Sequence, residues 1–164
     1  MDETAVSGRS ANPEMPLARR RWLAVLAKAQ LGELEAAWDA LADKPRYRVL
    51  RRAEAGLVML RGRVGGTGQP FNLGEMTMTR AAVQLVAADG EVSHAGFGHV
   101  AGRSARHAEL VALFDALLQD PARHDALAAT LVALLAAPQQ AAKATQAAKA
   151  MATKVDFFTM VRGE

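Results

Sequence analysis

The chain has 164 residues, of which 51% are hydrophobic and 23% charged, and its mean hydropathy is +0.01. This composition is typical of a globular protein and excludes a largely disordered chain. The sequence contains no cysteine, which excludes disulfides, thiol catalysis and thiolate-bound metal centres. The net charge of +3 and the pI of 9.7 favour an anionic partner: a nucleotide, a nucleic acid or an acidic protein surface.

Residues 1–16 are rich in Ser, Gly, Asn and Pro, which predicts a flexible tail followed by one domain over residues 17–164. Asp2 and Glu3 stand where a secretory signal peptide needs positive charge, and no apolar run approaches the length of a membrane helix. We therefore expect a cytoplasmic protein.

From Trp22 to Leu41 apolar residues recur every three or four positions around Gly32, which predicts two short amphipathic helices.

The alternating pattern that follows predicts the first two strands of an antiparallel sheet. Apolar and arginine-rich positions alternate over residues 47–64, with residues 53–56 as the turn of a hairpin.

Two further strands are expected after the glycine-rich segment. Residues 76–86 form the third, with a bulge near Arg80 because the apolar positions change parity there. Asp89-Gly90 predicts the turn into a fourth strand over residues 92–100.

The remainder of the chain is predicted to be helical. Ser104 can cap a helix whose apolar face includes Leu110 and Phe114, and two more helices are expected over residues 123–135 and 139–154. The fold class is therefore α+β, a four-stranded antiparallel sheet flanked by N-terminal and C-terminal helices.

One glycine-rich loop offers a candidate anion site. Backbone N–H groups of such a loop can surround a phosphate, and nearby arginines add positive charge. The alternative is an ordinary loop that needs positive φ, because a P-loop motif is absent and no helix follows directly. The residues concerned are Arg63, Gly65, Gly66, Thr67, Gly68 and Arg80.

A second candidate lies at the start of the helix after Ser104. Arg103 and His107 are four residues apart there, a spacing that suits an anion or a carboxylate of a partner. The alternative is a structural histidine at the edge of the core. His94 and His99 fall on opposite faces of one strand, and no metal site is predicted.

The last predicted feature is a hydrophobic segment over residues 155–162. Large apolar side chains at a chain end are expected to dock on the protein's own core or on another chain. The candidate interface residues are Val155, Asp156, Phe157, Phe158, Met160, Val161 and Arg162.

Three segments together resemble the PhnG family, a subunit of the bacterial carbon-phosphorus lyase core complex. The resemblance covers about residues 20–164, and the last of the three segments is the most specific part. The segments are residues 56–83 with the Gly65-Gly66-Thr67-Gly68 loop, residues 102–117 with Gly102-Arg103 and His107-Ala108-Glu109, and residues 154–163.

The resemblance implies an accessory subunit that works with PhnH, PhnI and PhnJ, and functionally with PhnL. Such a complex displaces adenine from ATP with an alkylphosphonate, giving a ribose 1-alkylphosphonate 5-triphosphate. The resemblance assigns the nucleosidase-like chemistry to PhnI, so ATP is a substrate of the complex and this chain binds no cofactor alone.

Two alternatives from other classes remain open. A stand-alone nucleotide-binding enzyme would use the glycine-rich loop, and a basic module would bind nucleic acid in a salt-dependent way. Specific nucleic-acid binding is not expected, because Tyr47 is the only aromatic residue among the arginines of the predicted basic strands. The isolated chain is also expected to self-associate if its apolar surface is uncovered.

Overall fold

The structure, a computed structural model, describes residues 15–87 and 89–153. It begins with α1 over Met15–Leu26 and α2 over Leu31–Asp39. Helices α1 and α2 confirm the two predicted helices, although the break between them falls at residues 27–30, just before Gly32. Trp22 and Trp38 are buried, because one face of each helix packs on the core.

The described part of the chain forms a three-stranded antiparallel sheet, so the prediction of four strands is wrong. Strand β1 spans Arg46–Arg63, β2 spans Pro70–Val86 and β3 spans Val92–Ala101, in the order β1-β2-β3. Residues 53–56, predicted as a turn, lie inside β1.

Two β-bulges explain the mistaken turn. The register of β1 against β2 shifts between Val49 and Arg51, and again between Arg51 and Glu54. Each bulge adds one residue to β1 and so changes the alternation, as a turn would. Gly56, the only glycine in the predicted turn, does not adopt the positive φ that such a turn often needs.

The bulge predicted near Arg80 also lies in β1 rather than in β2. Arg80 pairs in regular register with His99 of β3. Met76 and Met78 differ in parity from Val83 because they lie on the opposite face of a regular strand.

The turn predicted at Asp89-Gly90 is confirmed, whereas the glycine-rich segment is irregular only at its start, because β2 begins at Pro70 and not at Met76. Gly65 and Gly66 adopt φ of 58° and 80° in a short 3₁₀ turn over Val64–Gly66. Gly90 has φ of 89° between β2 and β3, where the N–H of Ala87 donates to the carbonyl of Glu91 at 2.8 Å.

Helix α3, Ala105–Leu118, lies across β2 and β3 and supplies more buried residues to the core than any other element. Its predicted cap is confirmed, because the Ser104 hydroxyl accepts from the His107 N–H at 3.3 Å. A Cβ at Gly96 or Gly98 would overlap the backbone of α3, so these glycines let the helix rest directly on the strand.

The helical C-terminal region differs in detail from the prediction. Helix α4, Pro121–Leu127, is followed by a π turn over Ala128–Val132 and then by α5, Ala133–Ala152. The helix break expected between residues 135 and 139 is absent: α5 continues through Pro138. Ala136 and Ala137 precede that proline and Gln139 and Gln140 follow it, and both residue types have high helix propensity.

The hairpin of β1 and β2 is much longer than β3. The last pair of β3 with β2 is Ala101 with Met78, whereas β1 and β2 remain paired as far as Arg63 and Pro70. Residues 57–77 therefore form a two-stranded extension, which we call the β-arm.

Candidate functional site

The glycine-rich loop forms the tip of the β-arm, and several of its backbone groups form hydrogen bonds within the loop. The N–H groups of Thr67 and Gly68 both donate to the Val64 carbonyl, the second at 2.9 Å. The Arg63 guanidinium donates to the Gly68 carbonyl at 3.1 Å. Two of the N–H groups expected to surround an anion are therefore used inside the loop.

The arm tip nevertheless carries a basic cavity. It has a volume of about 420 Å³ and is lined by two arginines, two glycines and a proline: Arg61, Gly62, Arg63, Gly66 and Pro70. This is where the structure places the candidates Arg63 and Gly65 to Gly68.

Arg80 lies on the helix-free face of the sheet and is paired with a carboxylate. Its Nε donates to Glu54 Oε1 at 2.8 Å, and Arg51 Nη1 donates to the same oxygen at 2.6 Å. Hydrogen bonds from Arg51 and Arg80 lower the pKa of Glu54. Arg80 thus already has an anionic partner within the chain.

Arg103 and His107 lie near the start of α3. Arg103 is exposed and follows Gly102, whose N–H donates to the Thr77 carbonyl at the base of the β-arm (2.9 Å). His107 is half-buried, and its Nε2 lies 3.2 Å from the Leu26 carbonyl oxygen. The imidazole therefore joins the start of α3 to the end of α1, as the structural alternative for His107 expects.

The sequence candidates do not meet in one place. Glu54, the partner of Arg80, is nine residues from Arg63 along β1, which corresponds to about 30 Å of strand. A single phosphate cannot bridge that distance. The structure thus separates the arm tip from the Arg80 ion pair, whereas the segment before α3 is held to β2 beside Arg80, where the Thr79 hydroxyl donates to the Gly102 carbonyl at 2.7 Å.

Asp115 is a buried charged residue that the sequence reasoning did not single out. It is fully buried, and its two carboxylate oxygens accept four hydrogen bonds. Arg19 donates two of them, at 3.0 and 2.6 Å, and Trp22 Nε1 and the Phe97 N–H donate one each at 2.9 Å. An acidic residue within the apolar run Leu113-Phe114-Asp115-Ala116-Leu117 was the available signal.

The Asp115 cluster protects the free edge of β3. Arg19 also donates to the Ala95 carbonyl at 3.2 Å, and Gln119 Nε2 donates to the same oxygen at 2.9 Å. Together with the Phe97 N–H, these contacts occupy backbone groups that an edge strand would otherwise expose. The role of Asp115 that follows from these contacts is structural.

A second cavity, of about 440 Å³, lies between the bulged part of β1 and the start of α3. Arg106 and Glu109 line it, and they form an ion pair at 3.1 Å. Tyr47 donates its hydroxyl to Glu109 Oε1 at 2.9 Å, and burial followed by this hydrogen bond raises the pKa of Tyr47. Arg51 and Arg52 also line the cavity, and Arg51 is already paired with Glu54.

Other predicted features are limited by what the structure describes. The predicted interface at residues 155–162 lies outside the described residues. Within residues 15–87 and 89–153, no cluster of three or more His, Asp or Glu side chains has the geometry of a metal site. In the same ranges no helix is long and apolar enough to cross a membrane.

Comparison with known proteins identifies one family over nearly the whole chain. Residues 17–163 match the family model described as phosphonate metabolism protein PhnG. A relative from Rhizobium meliloti (strain 1021) is 49% identical over 146 residues, covering 89% of this chain and 90% of the relative. That relative is named alpha-D-ribose 1-methylphosphonate 5-triphosphate synthase subunit PhnG.

Proposed function

Because the chain belongs to the PhnG family of phosphonate metabolism proteins, we propose that it is the PhnG subunit of an alpha-D-ribose 1-methylphosphonate 5-triphosphate synthase. The observation that carries this proposal is the 49% identity to a subunit of that name over 89% of the chain. The chain then serves organophosphonate catabolism as an accessory subunit of a multi-subunit transferase.

The proposed complex displaces adenine from ATP with an alkylphosphonate. The phosphonate oxygen forms a bond to C1 of the ribose as the bond from C1 to adenine breaks, and the triphosphate remains on the ribose. ATP is a substrate of the complex, and this chain holds no cofactor alone. The described residues support an accessory role, because Arg80, Arg106 and Asp115 are occupied in ion pairs within the chain.

The partners that we propose are PhnI, PhnH and PhnJ in a cytoplasmic core complex, with PhnL required functionally. Residues 155–162 are proposed as one contact with these partners. Among the anion-facing candidates, Arg63 at the arm tip and the exposed Arg103 are the best placed to reach a ligand held by another subunit.

The assembly experiment co-expresses this chain, bearing one affinity tag, with PhnH, PhnI and PhnJ from the same genome. The expected result is a complex of four components, identified by mass analysis after elution. A chain that elutes free would contradict the proposal. Saturable ATP binding by that free chain would then favour the nucleotide-binding enzyme, and salt-sensitive DNA or RNA binding would favour the nucleic-acid module.

The activity experiment measures adenine release by the complex reconstituted with PhnL. Arg63→Ala and Arg103→Ala are expected to lower adenine release at least tenfold without loss of assembly if they face the triphosphate or phosphonate. Arg48→Ala is the matched control, because Arg48 donates to the neutral Gln84 on the exposed sheet face. Full activity in both variants would remove them from a ligand-facing role.

Arg80→Ala and His107→Ala are tested in the same assay, with thermal stability measured beside activity. Arg80 and His107 hold contacts to Glu54 and Leu26, so a loss of activity counts toward a ligand-facing role only where stability is retained. Full activity in either variant would remove that residue from the candidates.

A further inference from the structure

The β-arm exposes a set of large apolar side chains beyond the core. It extends past the last residue pair of β3, and most of its residues are exposed. A two-stranded ribbon without a third strand or a helix against it is marginally stable in water. Large exposed apolar groups on such a ribbon are typical of an interaction surface.

The apolar side chains occupy both faces of the arm. Residues directly opposite in paired strands share a face, and faces alternate along each strand. Thr79, Ala81 and Val83 are buried beside α3, so the alternation places Leu57 and Met59 on the helix side. The other face carries the larger group: Val58, Leu60, Phe71, Leu73 and Met76.

Leu73 shows how this second face is built. It is the extra residue of a bulge in β2, because Leu60 pairs with Gly74 and Arg61 pairs with Asn72. A Cβ at Gly62 would meet the Leu73 side chain at 2.8 Å, so Leu73 lies against the bare backbone of Gly62. Phe71 is the strand partner of Gly62 and lies on the same face.

The dimensions of the arm indicate how it is covered. Its seven paired residues of β1, 57–63, correspond to about 23 Å, and a strand pair is about 10 Å wide. Each face then covers about 230 Å² in projection, well below the ~800 Å² that each protein contributes to a standard interface. Both faces together cover about 460 Å² in projection, so stable docking through the arm requires contact with both faces and with some surface beyond the arm.

The charge of the sheet indicates what surrounds that contact. The three strands carry seven arginines and two glutamates, of which Arg61, Arg63 and Glu75 lie in the arm and give it a net charge of +1. Arg61 and Arg63 line the cavity at the arm tip. Complementarity favours a partner that places carboxylates at the tip of the arm.

We propose that the β-arm inserts into a groove of another subunit of the synthase, with apolar walls against both faces of the arm and acidic side chains around its tip. The inference rests on the proposed function, since it takes the occupant to be a protein of the same complex. It adds a docking element distinct from residues 155–162.

The first test repeats the assembly experiment with a charge on either face of the arm. Leu57→Asp and Leu73→Asp replace side chains that are 64% and 61% exposed, and the control Leu134→Asp replaces one that is 69% exposed outside the sheet. Each arm variant is expected to reduce recovery of the complex at least tenfold, and the control is expected to assemble like the parent chain. Reversal of one tip charge by Arg61→Glu should slow association and reduce its salt dependence, and Arg63, a candidate ligand-facing residue, is left unchanged.

The second test does not disturb packing. Since the chain has no cysteine, Leu57→Cys and Leu134→Cys can each carry one environment-sensitive fluorophore. On addition of the partner subunits, the probe at residue 57 is expected to shift to shorter wavelength and to resist iodide quenching, and the probe at residue 134 to stay unchanged.

The outcomes separate this inference from the proposed function. Failure of the parent chain to assemble would contradict the proposed function. Normal assembly of both arm variants, with a probe at residue 57 that stays exposed, would overturn the docking inference alone. Loss of a homodimer in the arm variants with an intact complex would identify a second copy as the occupant and also overturn the inference.

Discussion

Tyr47 joins the first strand to the core helix α3 through a hydrogen bond to Glu109. Burial and this contact raise its pKa above 10.0, so the stabilisation is complete below about pH 10 and is lost as pH rises through the pKa of the folded state. Glu109→Gln is expected to lower the pKa of Tyr47, because it removes a negative charge while the burial remains.

The sequence makes this prediction directly measurable. Tyr47 is the only tyrosine of the chain, so ultraviolet absorbance of tyrosinate during an alkaline titration reports on this one residue. Glu75→Gln, an exposed change on the β-arm, serves as the control and should leave the titration unchanged. An equal pKa in the parent chain and Glu109→Gln would contradict the assigned hydrogen bond.

Asp115 is expected to be the most sensitive charged position in the chain. Asp115→Ala leaves the Arg19 guanidinium, the Trp22 indole N–H and a backbone N–H of β3 without their acceptor. Loss of one partner from such a buried pair typically lowers the free energy of unfolding by about 3–5 kcal/mol. Urea unfolding followed by far-ultraviolet circular dichroism measures it.

Asp39→Ala is the matched control for Asp115. Asp39 pairs with Lys44 at 3.4 Å, and its side chain is 76% exposed. An exposed pair of this kind contributes about 0–1 kcal/mol. Similar losses of stability in the two variants would show that the four hydrogen bonds of Asp115 contribute no more to the free energy of unfolding than an exposed ion pair.

At the scale of elements, the packing of α3 on β3 depends on two glycines. Gly98→Ala is expected to lower the free energy of unfolding by about 1–3 kcal/mol or more, because the new methyl group overlaps the Ala108 carbonyl and neither backbone can yield cheaply. Gly56→Ala is the control within the same sheet, since nothing lies within 4 Å of its Cβ position. Thermal unfolding of the full chain decides the prediction, and equal midpoints for both variants would contradict it.

The elements themselves were partly predictable from sequence. Helices α1, α2 and α3, the Ser104 cap and the turn at Gly90 follow from local patterns that the structure confirms. The first strand was divided wrongly because a bulge and a turn both interrupt alternation, and only pairing with β2 distinguishes them.

The candidate site was less predictable, because proximity along the chain does not determine proximity in space. Arg63 and Arg80 flank the same glycine-rich segment, yet the hairpin places them at different points of a long ladder. His107 and Asp115 obtain their roles from contacts with α1, more than eighty residues away in sequence. Periodicity contains no information about such contacts.

On the scale of the whole molecule, the free energy of local opening is expected to be much lower in the β-arm than in the core. β2 makes this contrast within a single strand, because Thr79, Ala81 and Val83 are buried beside α3 whereas residues 70–75 are exposed. Local opening requires less free energy where few apolar contacts must be broken. Amides of the arm in the isolated full chain should therefore exchange with deuterium faster than those of residues 79–83.

Hydrogen exchange followed by mass spectrometry measures this difference within one experiment, with α3 as the slow reference. Both stretches of β2 pair with β1, whereas only residues 78–86 also pair with β3, so pairing with β1 alone would predict uniform protection only for the amides that bond to β1. Equal protection of residues 70–75 and 79–83 would show that pairing with β1 suffices to order the arm. Faster exchange in the arm would show that cover by α3 and β3, rather than the ladder itself, determines the stability of the long hairpin.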